Sequence, residues 1–376
     1  DIAGDGYIHP LGWTNTGYNT RIYSEAADNK ATNTGISAVN NLAMMSKNNT
    51  TYGETTGYTM PLKAATIYKI TFKYCGWGNT PTTNIVLTDP ESNTITLAPG
   101  FRPATNNGNT NAENWYSYSG YFVSTTAGNY VLAMNKVESG QQQIGIGDIE
   151  LVTASEIEFS EDADAPAYAP GTYPNVTLTR TIKANTWNTF VVPFAISNAE
   201  LVAKFGADVA VAEYSETADG DNSTVSFTKM ATPAVAANTP VLLKTSTAGT
   251  SYTFPARSIV VGDAKVAGTK NFDFVGNYNA SLALVDGDYF ISSDKLYKKG
   301  ESATVTLKGT RAYIQPKSVG VKVLNFIIGD EIVTGVDSVE AVEAEEDGVL
   351  YNIAGQVVTE DYKGIVIKNG KKYYQK

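Results

Sequence analysis

The sequence holds a single cysteine, Cys75, and a single histidine, His9, in 376 residues. A lone cysteine excludes an intramolecular disulfide and any metal site built from cysteines. A lone histidine removes most Ser-His-Asp and Cys-His arrangements, and zinc or haem sites that need several imidazoles. His9 itself, in the segment Tyr7-Ile8-His9-Pro10-Leu11, reads as a surface or strand-end residue. Charge is scarce too, at 18% of residues against about a quarter in an average domain. What there is leans acidic: 28 Lys and Arg face 38 Asp and Glu, for a net charge of −10. Such a balance gives no electrostatic footprint for nucleic acid or anionic lipid, and neither is expected as a partner. No apolar run approaches the roughly 18 residues of a membrane-spanning helix, so no membrane insertion is expected. Walker and Rossmann glycine patterns are missing as well, since Gly145-Ile146-Gly147 lies inside an apparent strand.

The missing charge is replaced by Thr, Asn, Gly, Ser and an unusual 23 tyrosines. That make-up suits an extracellular β-protein, secreted or held at the cell surface. Asp1 opens a polar segment, which reads as the start of a mature or trimmed chain.

Residues 1–154 read as one all-β unit, a β-sandwich. Short alternating runs at Gly57–Leu62, Tyr68–Tyr74, Asn84–Thr88, Ser117–Val123, Asn129–Asn135 and Ile144–Val152 are separated by Gly, Asn, Thr and Pro. The clearest is Tyr68 to Tyr74, in which Tyr68, Ile70, Phe72 and Tyr74 point one way and Lys69, Thr71 and Lys73 the other. Helical periodicity is confined to at most one short turn within Ile36–Met45. Residues 155–175 combine Glu156, Glu158, Glu161, Asp162 and Asp164 with Pro166, Pro170 and Pro174. Charge repulsion and proline predict an extended connector, with Ile157 and Phe159 available to begin the next sheet.

Residues 176–329 form a second β-rich unit with one short helix. Its predicted strands are Trp187–Phe194, Pro240–Lys244, Phe272–Tyr278, Asp288–Ser292, Lys295–Lys298, Thr304–Lys308 and Arg311–Gln315. The helix is marked by a Ser197/Glu200 capping box, an Ile196/Leu201 staple and a Gly206 stop. Residues 330–347 read as an acidic linker and 348–376 as a small β-domain, in which Asn369-Gly370 between alternating runs signals a hairpin.

Three resemblances accompany these units. Gly12-Trp13-Thr14, Tyr52-Gly53, Tyr68 to Phe72 and the closing Gly147-Asp148-Ile149-Glu150-Leu151, in that order, resemble jelly-roll carbohydrate-binding modules appended to polysaccharide-degrading enzymes. Trp187 to Phe190, Asn238 to Lys244, Asp288 to Ser292 and Arg311 to Ile314 resemble an accessory β-domain of secreted Bacteroidetes proteins. The tail resembles their C-terminal sorting-type domain. These likenesses imply a secreted, monomeric, non-catalytic accessory region of a larger polysaccharide-degrading enzyme.

The residues themselves support a sugar site. A sugar offers an apolar C–H face to aromatic rings and a rim of hydroxyls to amide, guanidinium and carboxylate groups. Trp13, Trp77 and Trp115 lie in or beside polar loops, with Tyr18 and Tyr116 near them; Asn79, Arg102 and Glu113 supply polar partners. Glycines on both sides of Trp77 free its backbone. Trp187, in a strand, is expected in the core. In the resembled modules a closing-strand aspartate helps to hold a structural Ca²⁺; Asp148 matches that position, and Asp28 offers a second hard oxygen ligand. Two other functional classes stay open: a structural or adhesive spacer that binds no sugar, and a small glycosidase using Glu54 and Glu113, since that chemistry needs only two carboxyl groups.

Overall fold

The structure is a computed structural model that describes residues 13–14, 20–23, 43–47, 57–76, 83–101, 116–136, 143–300, 303–329, 331–333, 336–339, 350–352, 357–359, 364–368 and 371–375. It is all-β, with one short helix among the described residues.

The first unit contains β1 (Trp13–Thr14), β2 (Thr20–Tyr23), β3 (Ala43–Lys47), β4 (Gly57–Leu62), β5 (Thr66–Gly76), β6 (Thr83–Thr88), β7 (Thr94–Phe101), β8 (Tyr116–Ser124), β9 (Gly128–Lys136) and β10 (Gln143–Ala154). They form two antiparallel layers, ordered β1-β4-β9-β6-β7 and β8-β5-β10-β3-β2. The alternation read from the sequence explains the core between them. Tyr68, Ile70 and Phe72 of β5 are buried, as are Ile85 and Leu87 of β6, Phe122 of β8, and Tyr130 and Leu132 of β9. All belong to one apolar cluster, in which Tyr68 stacks on Phe122 at 5.6 Å and Phe72 on Tyr118 at 4.8 Å. The short helical turn allowed near Ile36–Met45 is not what forms at its end, because Ala43 to Lys47 pair with β10 and β2.

The stretch 155–175 enters the sheets, with Ile157 and Phe159 in a strand as the sequence allowed. β11 (Ile157–Ser160) runs parallel to β13 (Gly171–Ile182), and between them β12 (Ala167–Tyr168) pairs with the β8 edge of the first unit. Ile157, Phe159 and Tyr173 are fully buried, so apolar burial outweighs the repulsion expected of the acidic residues. The acids find partners from other parts of the fold. Glu156 and Glu158 accept hydroxyl hydrogen bonds from Thr177 (2.5 Å) and Thr179 (2.6 Å), and Asp162 pairs with Lys308 at 2.6 Å. Tyr173 then ties the units together: its hydroxyl donates to the Tyr121 carbonyl (3.0 Å) and the Ala169 carbonyl (2.9 Å). Ile67, Tyr121, Val123 and Ala154, on the outer face of the β8-β5-β10 layer, join the apolar cluster of the second unit.

The second unit continues with β14 (Asn188–Phe190), α1 (Asn198–Phe205), β15 (Ala210–Asp219), β16 (Asn222–Lys229), β17 (Val241–Lys244), β18 (Gly249–Ile259), β19 (Lys265–Ala267), β20 (Phe272–Asn277), β21 (Leu282–Ala283), β22 (Tyr289–Ser292), β23 (Lys295–Lys299), β24 (Thr306–Leu307), β25 (Arg311–Pro316), β26 (Lys322–Ile328), β27 (Glu331–Val333) and β28 (Val336–Val339). Two six-stranded sheets, β14-β17-β15-β16-β26-β27 and β19-β20-β25-β22-β23-β28, enclose a second cluster that includes Trp187, Phe227, Phe274 and Phe326. Trp187 is buried, as expected, with the Lys244 ammonium 5.8 Å from its ring. The predicted strand Trp187–Phe194 is shorter than expected, ending at Phe190 ahead of Pro193. Helix α1 begins where the capping residues place it: the Glu200 carboxylate accepts from the Ser197 N–H (2.9 Å) and hydroxyl (2.8 Å). Its apolar residues Leu201 and Phe205 are buried, and Gly206 follows at φ 98°, where a side chain is strained.

The expected acidic linker also enters the fold at its start. β27 pairs with β26, and β28 runs parallel to β23; 330, 334–335 and 340–347 lie outside the described residues. β29 (Leu350–Asn352), β30 (Val357–Val358), β31 (Gly364–Lys368) and β32 (Lys371–Gln375) close the chain as a separate four-stranded sheet, ordered β30-β29-β31-β32. The pairing of Lys368 with Lys371 leaves two residues for the turn, in agreement with the Asn-Gly signal.

Candidate functional site

The two ends of the first sandwich are built differently. Three residues join β4 to β5 and three join β8 to β9, so the corresponding ends of the two layers must adjoin. At this end the polar groups are satisfied tightly. Asp89 accepts from the Glu91 N–H (2.9 Å), the Asn93 N–H (2.7 Å) and the Asn93 amide (2.8 Å). The Tyr68 hydroxyl accepts from the Lys63 N–H (3.0 Å), and the Ser124 hydroxyl donates to the Lys63 carbonyl.

Register fixes what gathers at the other end. Gly76 at the end of β5 lies level with Ile144, beside Tyr74 and its partner Tyr116 at the start of β8. Gln143 pairs with Lys47 at the end of β3, and Ser46 with Thr20 at the start of β2. In the opposite layer, Thr83 at the start of β6 pairs with Lys136 at the end of β9 and Phe101 at the end of β7. Gly57 at the start of β4 pairs with Thr14 at the end of β1. The connections 15–19, 48–56, 77–82, 102–115 and 137–142 therefore all open from this one end, and each passes from one layer to the other.

Along the chain, the sequence-predicted binding residues adjoin these strand termini. Trp77 and Asn79 follow β5, Arg102 follows β7, Glu113 and Trp115 precede β8, and Tyr18 precedes β2. These six lie outside the described residues, as do Glu54, His9 and Asp28. Trp13 is the first residue of β1, opposite Tyr58, and Tyr116 opens β8. Asp148 sits in β10, where the register with β5 shifts between Gly147 and Glu150. Among the described residues no group of three or more His, Cys, Asp or Glu side chains comes together to hold a metal ion.

No protein-family model matches the chain, and no curated protein matches it.

The second unit uses its most deeply buried ions for structure. Arg180 is completely buried and donates to the Thr310 carbonyl (2.9 Å), the Thr310 hydroxyl (3.2 Å) and the Thr189 carbonyl. Burial, helped by the neighbouring Arg311, lowers its pKa to about 9. Burial pushes the nearby Glu161 carboxyl upward, but the Thr181 hydroxyl (2.7 Å) and the Arg311 guanidinium outweigh it and hold that pKa below 4.5. Glu216 behaves alike: burial opposes ionisation, yet Ser223 (2.5 Å) and the N–H groups of Lys270 and Asn271 (both 2.9 Å) keep the carboxylate charged and pin the loop before β20.

One buried carboxyl is left incomplete. A groove of about 820 Å³ lies where 285–288, 298–300 and 315–321 converge. Asp288, 2% exposed, contributes to its lining. Its Oδ2 accepts from the Val285 N–H (2.9 Å), while its Oδ1 is buried with no hydrogen-bond partner among the described residues. Burial raises the carboxyl above its ordinary range, against the Val285 N–H and the Lys299 charge. In the sequence Asp288 opens a predicted strand and the Asp288 to Ser292 run of the accessory-domain resemblance, neither of which marks a site. It comes to one groove with Gln315 and Lys317 through the pairing of β22 with β25.

Proposed function

We propose that this chain is a non-catalytic polysaccharide-binding region of a secreted or cell-surface protein, and that the sugar chain lies across the five-connection end of the first sandwich. The observation that carries the reading is the convergence of five layer-crossing connections at an end whose strands and loops bear Trp13, Trp77 and Trp115. Asn79, Arg102, Glu113, Tyr18 and Tyr116 supply polar and aromatic partners there. Rings on polar loops suit the C–H faces of sugars, and an open site of this kind binds modestly, with Kd of roughly 10 μM to 1 mM, or about −4 to −7 kcal/mol. The acidic net charge and tyrosine-rich, charge-poor composition support a location outside the cytoplasm.

Titration of soluble plant and host polysaccharides against the intact chain tests this. Trp77→Ala should weaken binding about tenfold with the melting curve unchanged, since one stacking contact is worth on the order of 1–2 kcal/mol. Trp187→Ala, in the second core, should destabilise the protein and leave the affinity of the remaining folded fraction as it was. If Trp77→Ala melts the first sandwich, the indole belongs to its core and the reading fails. Glu54 and Glu113 stand on connections of this same end, so reducing sugar should be assayed in the same titrations. Its release, lost in Glu113→Gln, would replace binding by hydrolysis.

A further inference from the structure

We propose that the groove of the second unit is a separate saccharide subsite that takes a uronic acid residue; this extends the polysaccharide reading of the first sandwich and rests on it.

The groove's charges select the ligand. The Lys299 ammonium is held by Asp286, and Lys317 is held by Asp273 at 2.9 Å. Lys298 has no carboxylate partner among the described residues; its ammonium lies 5.9 Å from the centre of the Tyr289 ring. Among the described residues the groove thus offers one lysine without a carboxylate partner, and that local positive charge favours a ligand carrying a negative charge. Asp288 lines the groove, and one oxygen of its carboxyl is buried without a hydrogen-bond partner among the described residues. A buried polar atom without a partner is costly, and a shift of the carboxyl that brings this oxygen to the groove surface lets a ligand hydroxyl relieve that cost. Gln315 spends its amide N–H on the Tyr313 hydroxyl (3.2 Å), which leaves its carbonyl oxygen to accept from a second hydroxyl.

The walls supply the remaining feature. Val285 is 62% exposed and Val319 entirely so, giving the rim two apolar side chains for the C–H face of a ring. A volume of about 820 Å³ falls within the range of about 300–1,000 Å³ usual for small-ligand sites. An inorganic phosphate leaves the valines unused and brings more negative charge against Asp286. A neutral sugar leaves Lys298 idle. Carboxylate, hydroxyls and C–H face occur together in a uronic acid.

Calorimetric titration of the intact protein with trigalacturonate and with neutral galactotriose, in low and in high salt, tests the proposal. Trigalacturonate should bind and galactotriose should bind at least tenfold more weakly. High salt should erase most of the difference. Lys298→Gln and Lys298→Ala should each weaken trigalacturonate about tenfold, whereas Lys183→Gln, at an exposed lysine outside the groove, should leave it unchanged. Equal binding of the two trisaccharides, or indifference to both Lys298 variants, overturns the groove. Trigalacturonate binding that is lost in Trp77→Ala but not in the Lys298 variants assigns it to the sandwich, which overturns the groove and spares the polysaccharide reading. Retention of trigalacturonate by a protein that holds no polysaccharide does the reverse.

Discussion

The two ends of the first sandwich have the same strands and opposite characters. At one end, connections of three residues close the layers, Asp89, Ser124 and Tyr130 cap them with side-chain hydrogen bonds, and the adjoining outer face is covered by the second unit. At the other, five longer connections cross between the layers and carry tryptophan, asparagine, arginine and glutamate. A sandwich needs only one end to fix its register. Once the short turns and the interface with the second unit do that, the opposite end is free to vary in length and chemistry. In the proposed reading, stability and recognition fall to different ends of one core.

That division predicts a strong asymmetry between substitutions. Phe122→Ala, at a fully buried position between the layers, should cost about 3–5 kcal/mol and abolish binding by unfolding the sandwich. Trp115→Ala, at the open end, should change stability by no more than about 0.5 kcal/mol and still weaken polysaccharide binding about tenfold. Denaturant titration beside binding isotherms checks both. A Trp115→Ala protein that is as unstable as Phe122→Ala breaks the comparison, because the open end would then be part of the core.

A smaller effect sharpens the role of the closed end. Tyr173→Phe removes the hydroxyl that bridges Tyr121 and Ala169, at a cost of about 1–2 kcal/mol. It should shift the denaturation midpoint and leave sugar affinity alone. No shift would make the contact between the two units a passive one.

Acid provides the most graded test, within the second unit. Glu161 and Glu216 have folded pKa values below 4.5. Their stabilisation is complete above the unfolded value and disappears as pH falls through the folded ones, so the protein should lose stability below about pH 4.5. Asp288 runs the other way. Its folded pKa lies above 3.8, so the stability it contributes is full below that value and lost as pH rises through the folded one. Asp288→Asn should therefore raise the melting temperature at pH 7 and have little effect near pH 3. Scanning calorimetry of wild type and variant across this range reads the sign directly. A variant that is less stable at neutral pH would mean that the Asp288 oxygen has found a partner.

What the sequence determined alone was local. The alternation of Tyr68, Ile70 and Phe72 fixed both a strand and its buried face, because side-chain direction in a strand has a period of two. Ser197 with Glu200 fixed a helix start, and Asn369-Gly370 a hairpin, since capping and tight turns are satisfied by neighbours within a few residues. Charge density along 155–175 could not choose between a connector and the strand that Ile157 and Phe159 allowed, because it measures repulsion between neighbours and is blind to Thr177, Thr179 and Lys308, which arrive from elsewhere in the fold to answer it. Only tertiary structure decided that five connections share one end, that Arg180 is buried against Thr189 and Thr310, and that Asp288 lies in a groove with Lys298 and Gln315. Each of these joins residues brought together by non-local strand pairing, and pairing partners are chosen by the packing of whole sheets rather than by the residues beside them.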